Sequence, residues 1–418
     1  MFSKRIWLVV SLLVILALSL SACAKPTPVA TEAPVTTEAP AATEAPAAEP
    51  FVFGMLLVGP STDNGWSTAT YEGGKYVEAK IPNTQFIYAE NVNTSANPST
   101  TAAQFAEQLL ERGAKVIIFN SDDMKDGVME FATNHPDVPV IWLSGDYAWK
   151  DGQRYQESLK MESDIMGIME YGKMMAGCAA ALTTKTGKIG FLGPLINDET
   201  RRLADAAYLG AKYCWTNIAK KTDPLEFKVT WIGMWFNIPG VTLDPTQVAD
   251  DFFTNGYDVV ISGIDSTEAV TEAAKFRAQG SDVYAVQYDY KAACDVAADA
   301  CLGVPYFNWG VALLPMIQSV IDGTYERQFV WQGPDWADIN NPDTSMIGYQ
   351  KSAGLSADNS ALLDQFIAEL AGGLNLWKGP MNLQDGTVFL KEGEEATPQQ
   401  IWYMPQLLEG MIGDSVAK

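Results

Sequence analysis

The residues of this chain best suited to chemistry stand at the ends of apolar, strand-length runs, where carboxylates, hydroxyls and aromatic rings recur together. The first such end reads Gly59-Pro60-Ser61-Thr62-Asp63-Asn64-Gly65-Trp66, followed by Thr70-Tyr71-Glu72-Gly73. Others read Asn120-Ser121-Asp122-Asp123, Gly233-Met234-Trp235-Phe236-Asn237, Gly263-Ile264-Asp265-Ser266-Thr267 and Gln287-Tyr288-Asp289. An acid beside a hydroxyl or amide can hydrogen-bond a polyol, and a neighbouring ring can cover a flat apolar face. The same residue types cap helices, so Asp265-Ser266-Thr267 alone would be explained by a helix start. Polar-plus-aromatic clusters at several strand ends point beyond capping, to a ligand with a flat face and hydroxyl groups.

Other chemistries are excluded by what is missing. The single histidine, His135, removes every motif that needs two, including paired-histidine zinc sites. It sits in the turn-like Thr133-Asn134-His135-Pro136-Asp137 and reads as an exposed loop residue rather than a general base. Gly187-Lys188-Ile189-Gly190 lacks both the hydroxyl after the lysine and the glycine five residues earlier, so it is no phosphate-binding loop. Gly187, Gly190 and Gly193 lack the dinucleotide-binding spacing. Asp122-Asp123 is the only adjacent acid pair near the expected pocket, and it reads as a solvated helix start rather than as a site that holds a metal or activates water. No metal and no cofactor is therefore expected. A formal charge of 28 − 51 = −23, without a basic stripe, excludes a nucleic-acid partner.

The elements that must position these residues alternate. Apolar runs at 51–58, 84–88, 116–119 and 138–143 enclose a helical stretch at 102–112. After a long helical segment at 165–182, runs at 188–192, 228–232, 258–262 and 283–288 repeat the pattern. Strands separated by helices imply right-handed βαβ units, and two such sets imply an α/β fold of two doubly wound parallel-sheet lobes. Ligands of such sheets bind beyond the carboxyl ends of the strands, where the clusters lie.

The N-terminus sets the compartment. Lys4 and Arg5 precede an apolar run from Ile6 to Leu20, too short and too poorly flanked for a membrane span, so residues 1–22 read as a signal peptide. Leu20-Ser21-Ala22-Cys23 looks like a bacterial lipobox, which implies cleavage before Cys23, lipidation of its thiol, and anchoring at the extracytoplasmic face of the cell membrane. Residues 23–50 carry Thr-Glu-Ala-Pro at Thr31, Thr37 and Thr43, a composition that cannot build a core and reads as an extended spacer. In an oxidising compartment the remaining cysteines are disulfide candidates. Cys294 and Cys301 enclose a short loop that suits a local bridge, while the pairing of Cys178 and Cys214 stays open.

Taken in order, Gly59-Pro60, Asp63-Asn64-Gly65-Trp66, Tyr71-Glu72-Gly73, Trp231-Ile232-Gly233-Met234-Trp235-Phe236, Asp265-Ser266-Thr267, Tyr288-Asp289 and Asn308-Trp309-Gly310 resemble the basic membrane lipoprotein family of solute-binding proteins. Its nucleoside-binding members are purine nucleoside receptor lipoproteins. The resemblance spans the chain after the spacer. It implies two type I periplasmic-binding lobes joined by a hinge, the first from 51–160 with about 300–327, the second from 161–299 with about 328–418. It also implies a nucleoside as ligand and the permease subunits of an ABC importer as partners. Residue by residue, Trp66 matches a ring that stacks on the base, and Trp235 with Phe236 matches the facing aromatic segment, Phe236 being the expected opposing ring. Asp63, Asp122, Asp265 and Asp289 fall at polar contacts, the last two as partners of ribose hydroxyls, with Ser121 and Asn64 as weaker candidates and Trp309 either on the hinge side or, equally, in the core. The loop carrying Cys294 and Cys301, and the Ser121-Asp122-Asp123 stretch, depart from the usual pattern and leave the base open. The alternatives are a binding protein for a sugar or another small solute, and a nucleoside-hydrolysing enzyme.

Overall fold

The computed structural model describes residues 49–416; the signal peptide, Cys23 and almost all of the spacer lie outside them. Two parallel sheets organise the chain. The first has the order β11-β5-β4-β3-β1-β2, and its early strands are β1 (Phe51–Leu56), β2 (Thr84–Ala89), β3 (Ile117–Phe119) and β4 (Val140–Leu143). Helices α1 (Trp66–Lys80), α2 (Ala102–Glu111) and α3 (Lys125–Asn134) connect them. The second has the order β15-β7-β6-β8-β9, with β6 (Lys188–Gly193), β7 (Glu226–Trp231), β8 (Val259–Ser262) and β9 (Tyr284–Val286). Its helices are α4 (Met169–Thr183), α5 (Asp198–Tyr213), α6 (Pro245–Thr254) and α7 (Glu268–Ala278), and β15 (Met411–Ile412) closes its edge. In each sheet the order reverses beside the first strand, between β1 and β3 and between β6 and β8. Loops diverge at such reversals and leave a crevice.

The expected lobe boundaries differ from the observed sheets in two places. β5 (Glu162–Gly167) and β11 (Phe329–Gln332) both belong to the first sheet, paired in parallel with each other. β5 escapes a reading by hydrophobicity because Glu162, Ser163 and Asp164 are polar yet fully buried. Burial pushes Glu162 up to about 7 and Asp164 well above the usual carboxylate range, so the strand is far less charged than its sequence suggests. The run at 165–182 is accordingly split into the end of this strand and α4. The chain crosses between lobes after β5, between β10 (Gly303–Phe307) and α8 (Gly310–Ile321), and between β11 and β12 (Ile347–Lys351). β10 and β12 pair antiparallel, a short ladder absent from the expected pattern.

One core surrounds each sheet. In the second, α4 and α5 meet through small residues: a Cβ on Gly177 would lie 1.9 Å from the Ala207 carbonyl oxygen, so only glycine permits this approach. Cys178 of α4 is bridged to Cys214 just after α5, and Cys294 to Cys301. After α9 (Ala357–Ala371), the tail forms the β13–β14 ladder (Met381–Asn382 and Val388–Leu390) and α10 (Pro398–Trp402). Among the described residues no helix is long and apolar enough to cross a membrane.

Candidate functional site

The strand ends of both lobes converge on one cavity. From the first lobe come Trp66, Ser121, Asp122 and Ser144; from the second come Lys173, Glu199, Trp235, Asp265 and Tyr288, among others.

Trp66 opens α1, and the preceding turn exists to place it. The Asp63 carboxylate accepts the amide N–H groups of Gly65, Ser67 and Thr68 at 2.8, 3.0 and 2.9 Å, and the Thr68 hydroxyl at 2.9 Å. These bonds satisfy orphan donors at the helix start. Asn64 is exposed and left-handed, with φ 59°. Asp63 and Asn64 thus build the turn and are not among the cavity-lining residues. The Trp66 indole N–H donates to the Asn120 carbonyl at 2.5 Å, and the buried Asn120 side chain ties β1 to α1 through Val58 and Thr70. Trp309 stands behind Trp66, edge-on at 5.0 Å and stacked on Phe307 at 4.7 Å, fully buried in the first core. It supports the ring rather than lining the cavity.

In the second lobe Trp235 lines the cavity, whereas Phe236, the expected opposing ring, packs against the first core and lies outside the lining. The Trp235 carbonyl accepts the Asp265 amide N–H at 3.0 Å, and its buried indole N–H has no partner. The lobes touch beside this point, because a Cβ on Gly65 would lie 2.0 Å from the Asp265 carbonyl oxygen.

Behind these rings lies a buried charged group that the sequence did not reveal. Lys173 of α4 donates to the Ser262 carbonyl at 2.8 Å and sits 3.0 Å from the centre of the Tyr288 ring. Burial lowers it to about 7, against the pull of Asp289 and Asp265. Asp289 is fully buried at φ 68°, with neither carboxyl oxygen hydrogen-bonded; it neighbours Lys173 instead of lining the cavity. Glu199, in the first turn of α5, is pushed up to about 7 by burial, opposed by Arg202 and reinforced by Asp122. Burial likewise raises Asp122, Asp265 and Asp289. The signal that could have identified Lys173 is a charge set in the largely apolar stretch around Met174-Met175, whereas Glu199, between Asp198 and Arg201-Arg202, carried no such signal.

A strap joins the lobes at the rim. Arg154 donates to Asp146 at 3.2 Å and to Asp198 of α5 at 2.7 Å, while the Tyr403 hydroxyl donates to Asp146 at 2.6 Å. The Trp149 ring stacks on Phe329 at 4.9 Å and lies parallel to Tyr403 at 5.8 Å. His135 is remote from this region, half-buried with Nε2 2.6 Å from Glu107. Among the described residues no group of three or more His, Cys, Asp or Glu side chains is arranged to hold a metal ion.

These shifts fix how stability depends on pH. A carboxyl raised on folding makes the native state bind more protons than the unfolded chain between the ordinary carboxylate range and its raised value, so stability falls as pH rises there. For Glu162 and Glu199 that window ends near 7. Lys173, lowered to about 7, has the opposite slope above that point. The ligand-free protein is expected to melt at a higher temperature near about pH 5 than near about pH 7. A melting temperature that climbs steadily across that interval would contradict the assignment.

Comparison with known proteins bears on what the cavity is for. Residues 51–333 match the family model described as Bmp, ABC transporter substrate-binding protein PnrA-like. A purine-binding protein of Brucella abortus is 25% identical over 369 residues, covering 87% of this chain and 93% of its own. A stretch of 211 residues is 26% identical to metabotropic glutamate receptor-like protein F of Dictyostelium discoideum, 49% of this chain and 24% of that one. Among solved structures, solute-binding proteins of ABC transporter systems from Aeropyrum pernix and Conexibacter woesei superpose with TM-scores of 0.61 and 0.55 at 12% and 14% identity. They cover 80% and 77% of this chain and 93% and 97% of their own, a likeness of fold. With two doubly wound lobes closed over one cavity, and a family match running from β1 through β11, the chain belongs to the PnrA-like family of ABC transporter substrate-binding proteins, which work outside the cytoplasmic membrane.

Proposed function

We propose that this protein captures a purine nucleoside between its lobes and delivers it to the permease subunits of an ABC importer. The observation that carries the reading is the pair of indole rings, Trp66 from one lobe and Trp235 from the other, on a single cavity. A base lies against these rings, and ribose hydroxyls meet Asp265 and the Lys173 ammonium. Ser121, Asp122 and Glu199 supply further acceptors. The concentration of acids opposes a phosphate group, which makes a nucleoside the ligand rather than a nucleotide. The purine ligand named for the Brucella relative supports a purine base.

Calorimetry with guanosine, adenosine and their free bases tests this. Asp265→Ala is expected to weaken nucleosides by about 1–3 kcal/mol, the cost of leaving buried ribose hydroxyls without a partner, and to spare the free bases. Trp66→Ala is expected to weaken base and nucleoside alike by about 1–3 kcal/mol, and to destabilise the fold as well because the ring is packed against Trp309. Wild-type affinity in both variants would place the ligand elsewhere. The anchor belongs to the same proposal: lipidated Cys23 holds the protein at the outer face of the cell membrane, with 24–50 as spacer. A labelled fatty acid is expected to mark the wild-type protein and not Cys23→Ser; equal labelling ends the lipoprotein reading.

A further inference from the structure

Glu199 and Asp122 enter the cavity from opposite lobes, one in the first turn of α5 and the other in the loop after β3. Neither carboxyl group accepts a hydrogen bond from any described residue. Three other acids accept bonds from the protein: Asp63 from the start of α1, Asp258 from the Thr184–Thr186 turn, and one oxygen of Glu170 from Arg202. A buried polar group without a partner is costly unless something else supplies the bond. The indole N–H of Trp235 on the same cavity is a second such group, buried and unpartnered. The unmet bonding capacity among the residues lining the cavity therefore includes acids from two lobes and one donor.

We propose that Glu199 is the residue that chooses between purines, pairing as a carboxylate with the two donors of a 2-amino-6-oxopurine and as a carboxylic acid with the donor–acceptor edge of a 6-aminopurine. The proposal rests on the nucleoside reading above. An ionised carboxyl offers only acceptors, which match the N1–H and 2-amino hydrogens of guanine. A protonated one offers one donor and one acceptor, which match N1 and the 6-amino group of adenine.

Both forms exist near neutral pH, because burial and Asp122 hold Glu199 at about 7 while Arg202 opposes them. The surroundings keep that balance local. Arg202, on the same helix, is committed to Glu170 at 2.7 Å, and Asp198 to Arg154 at 2.7 Å. Asp265 and Asp289 face Glu199 from the loops after β8 and β9, with Tyr288 beside them. Lys173, on α4, is the other group titrating in the same interval.

The test is calorimetry on the full chain, freed of carried-over solute, with adenosine and guanosine at about pH 5.5 and about pH 8.5. Adenosine is expected to weaken by about tenfold or more across that interval and guanosine to tighten by a similar factor. Glu199→Gln, which carries one donor and one acceptor at every pH, is expected to keep the adenosine preference and lose the swing. An affinity ratio unchanged with pH in the wild type overturns the proposal. So does an unreduced swing in Glu199→Gln, which would assign the titration to Lys173. Absence of binding by either nucleoside at both pH values overturns the nucleoside reading itself, and this proposal with it.

Discussion

Gly65→Ala is expected to weaken ligand binding while leaving each lobe folded. Gly65 precedes α1 in the first lobe, and a methyl group there would sit 2.0 Å from the Asp265 carbonyl oxygen of the second. The obstructing atom is backbone, held by the hydrogen bond from the Asp265 amide to Trp235, so it cannot rotate aside. The clash exists only when the lobes are closed, and it therefore acts on closure rather than on folding. Penalising the closed state by x kcal/mol lowers affinity by the same x, since only that state grips the ligand from both sides. Overpacking of about 1–3 kcal/mol corresponds to roughly a five- to 150-fold loss. Small-angle scattering should read a more open envelope with nucleoside present, and thermal melting of the ligand-free protein should be close to wild type. Undiminished affinity would mean that the ligand is held without this contact.

Arg202→Met carries the largest expected cost in stability. Arg202 and Glu170 are 2% and 3% exposed and joined at 2.7 Å, with the guanidinium 4.5 Å from the centre of the Trp402 ring and bonded to its carbonyl. Removing the cation leaves Glu170 buried with no partner, its second oxygen being already unpaired. Breaking a buried pair from one side costs about 3–5 kcal/mol, a large share of a typical domain's stability of about 5–15 kcal/mol. Chemical denaturation should therefore show a much lower midpoint, partly restored in mild acid, where Glu170 can take a proton. Adding Glu170→Gln should recover most of the loss. A midpoint equal to wild type would mean that the pair is solvated.

The sequence made β1 to β4 and β6 to β9 legible because each is an apolar run between helical patterns, and their carboxyl ends converge on the cavity. It did not reveal β5, whose buried Glu162 and Asp164 read as surface, nor β11, whose side chains are only partly buried at the sheet edge. At the site, Trp66, Ser121, Asp122, Trp235 and Asp265 line the cavity as their strand-end positions suggested. Asp63, Asn64, Trp309 and Asp289 share those positions but turn their side chains to the turn, the solvent, the core and Lys173. Strand-end position decides which loop reaches the crevice. Which side chain of that loop faces inward depends on the local turn, as the exchange of Phe236 for Trp235 illustrates. Lys173 and Glu199 were hidden because a charged residue on a helix ordinarily marks its wet face.

The rim strap has a consequence for traffic at the membrane. Its contacts, Arg154 to Asp146 and Asp198 and Tyr403 to Asp146, are made between protein groups alone. They favour the closed form whether or not cargo is aboard, and each 1.4 kcal/mol multiplies the share of closed, empty carriers by ten. A permease that recognises the closed shape meets those carriers in competition with loaded ones. The ion pair that spans the lobes, Arg154 to Asp198, is 48% and 17% exposed and contributes only about 0–1 kcal/mol, and that weakness keeps the empty closed form scarce, so that docking remains a report of cargo.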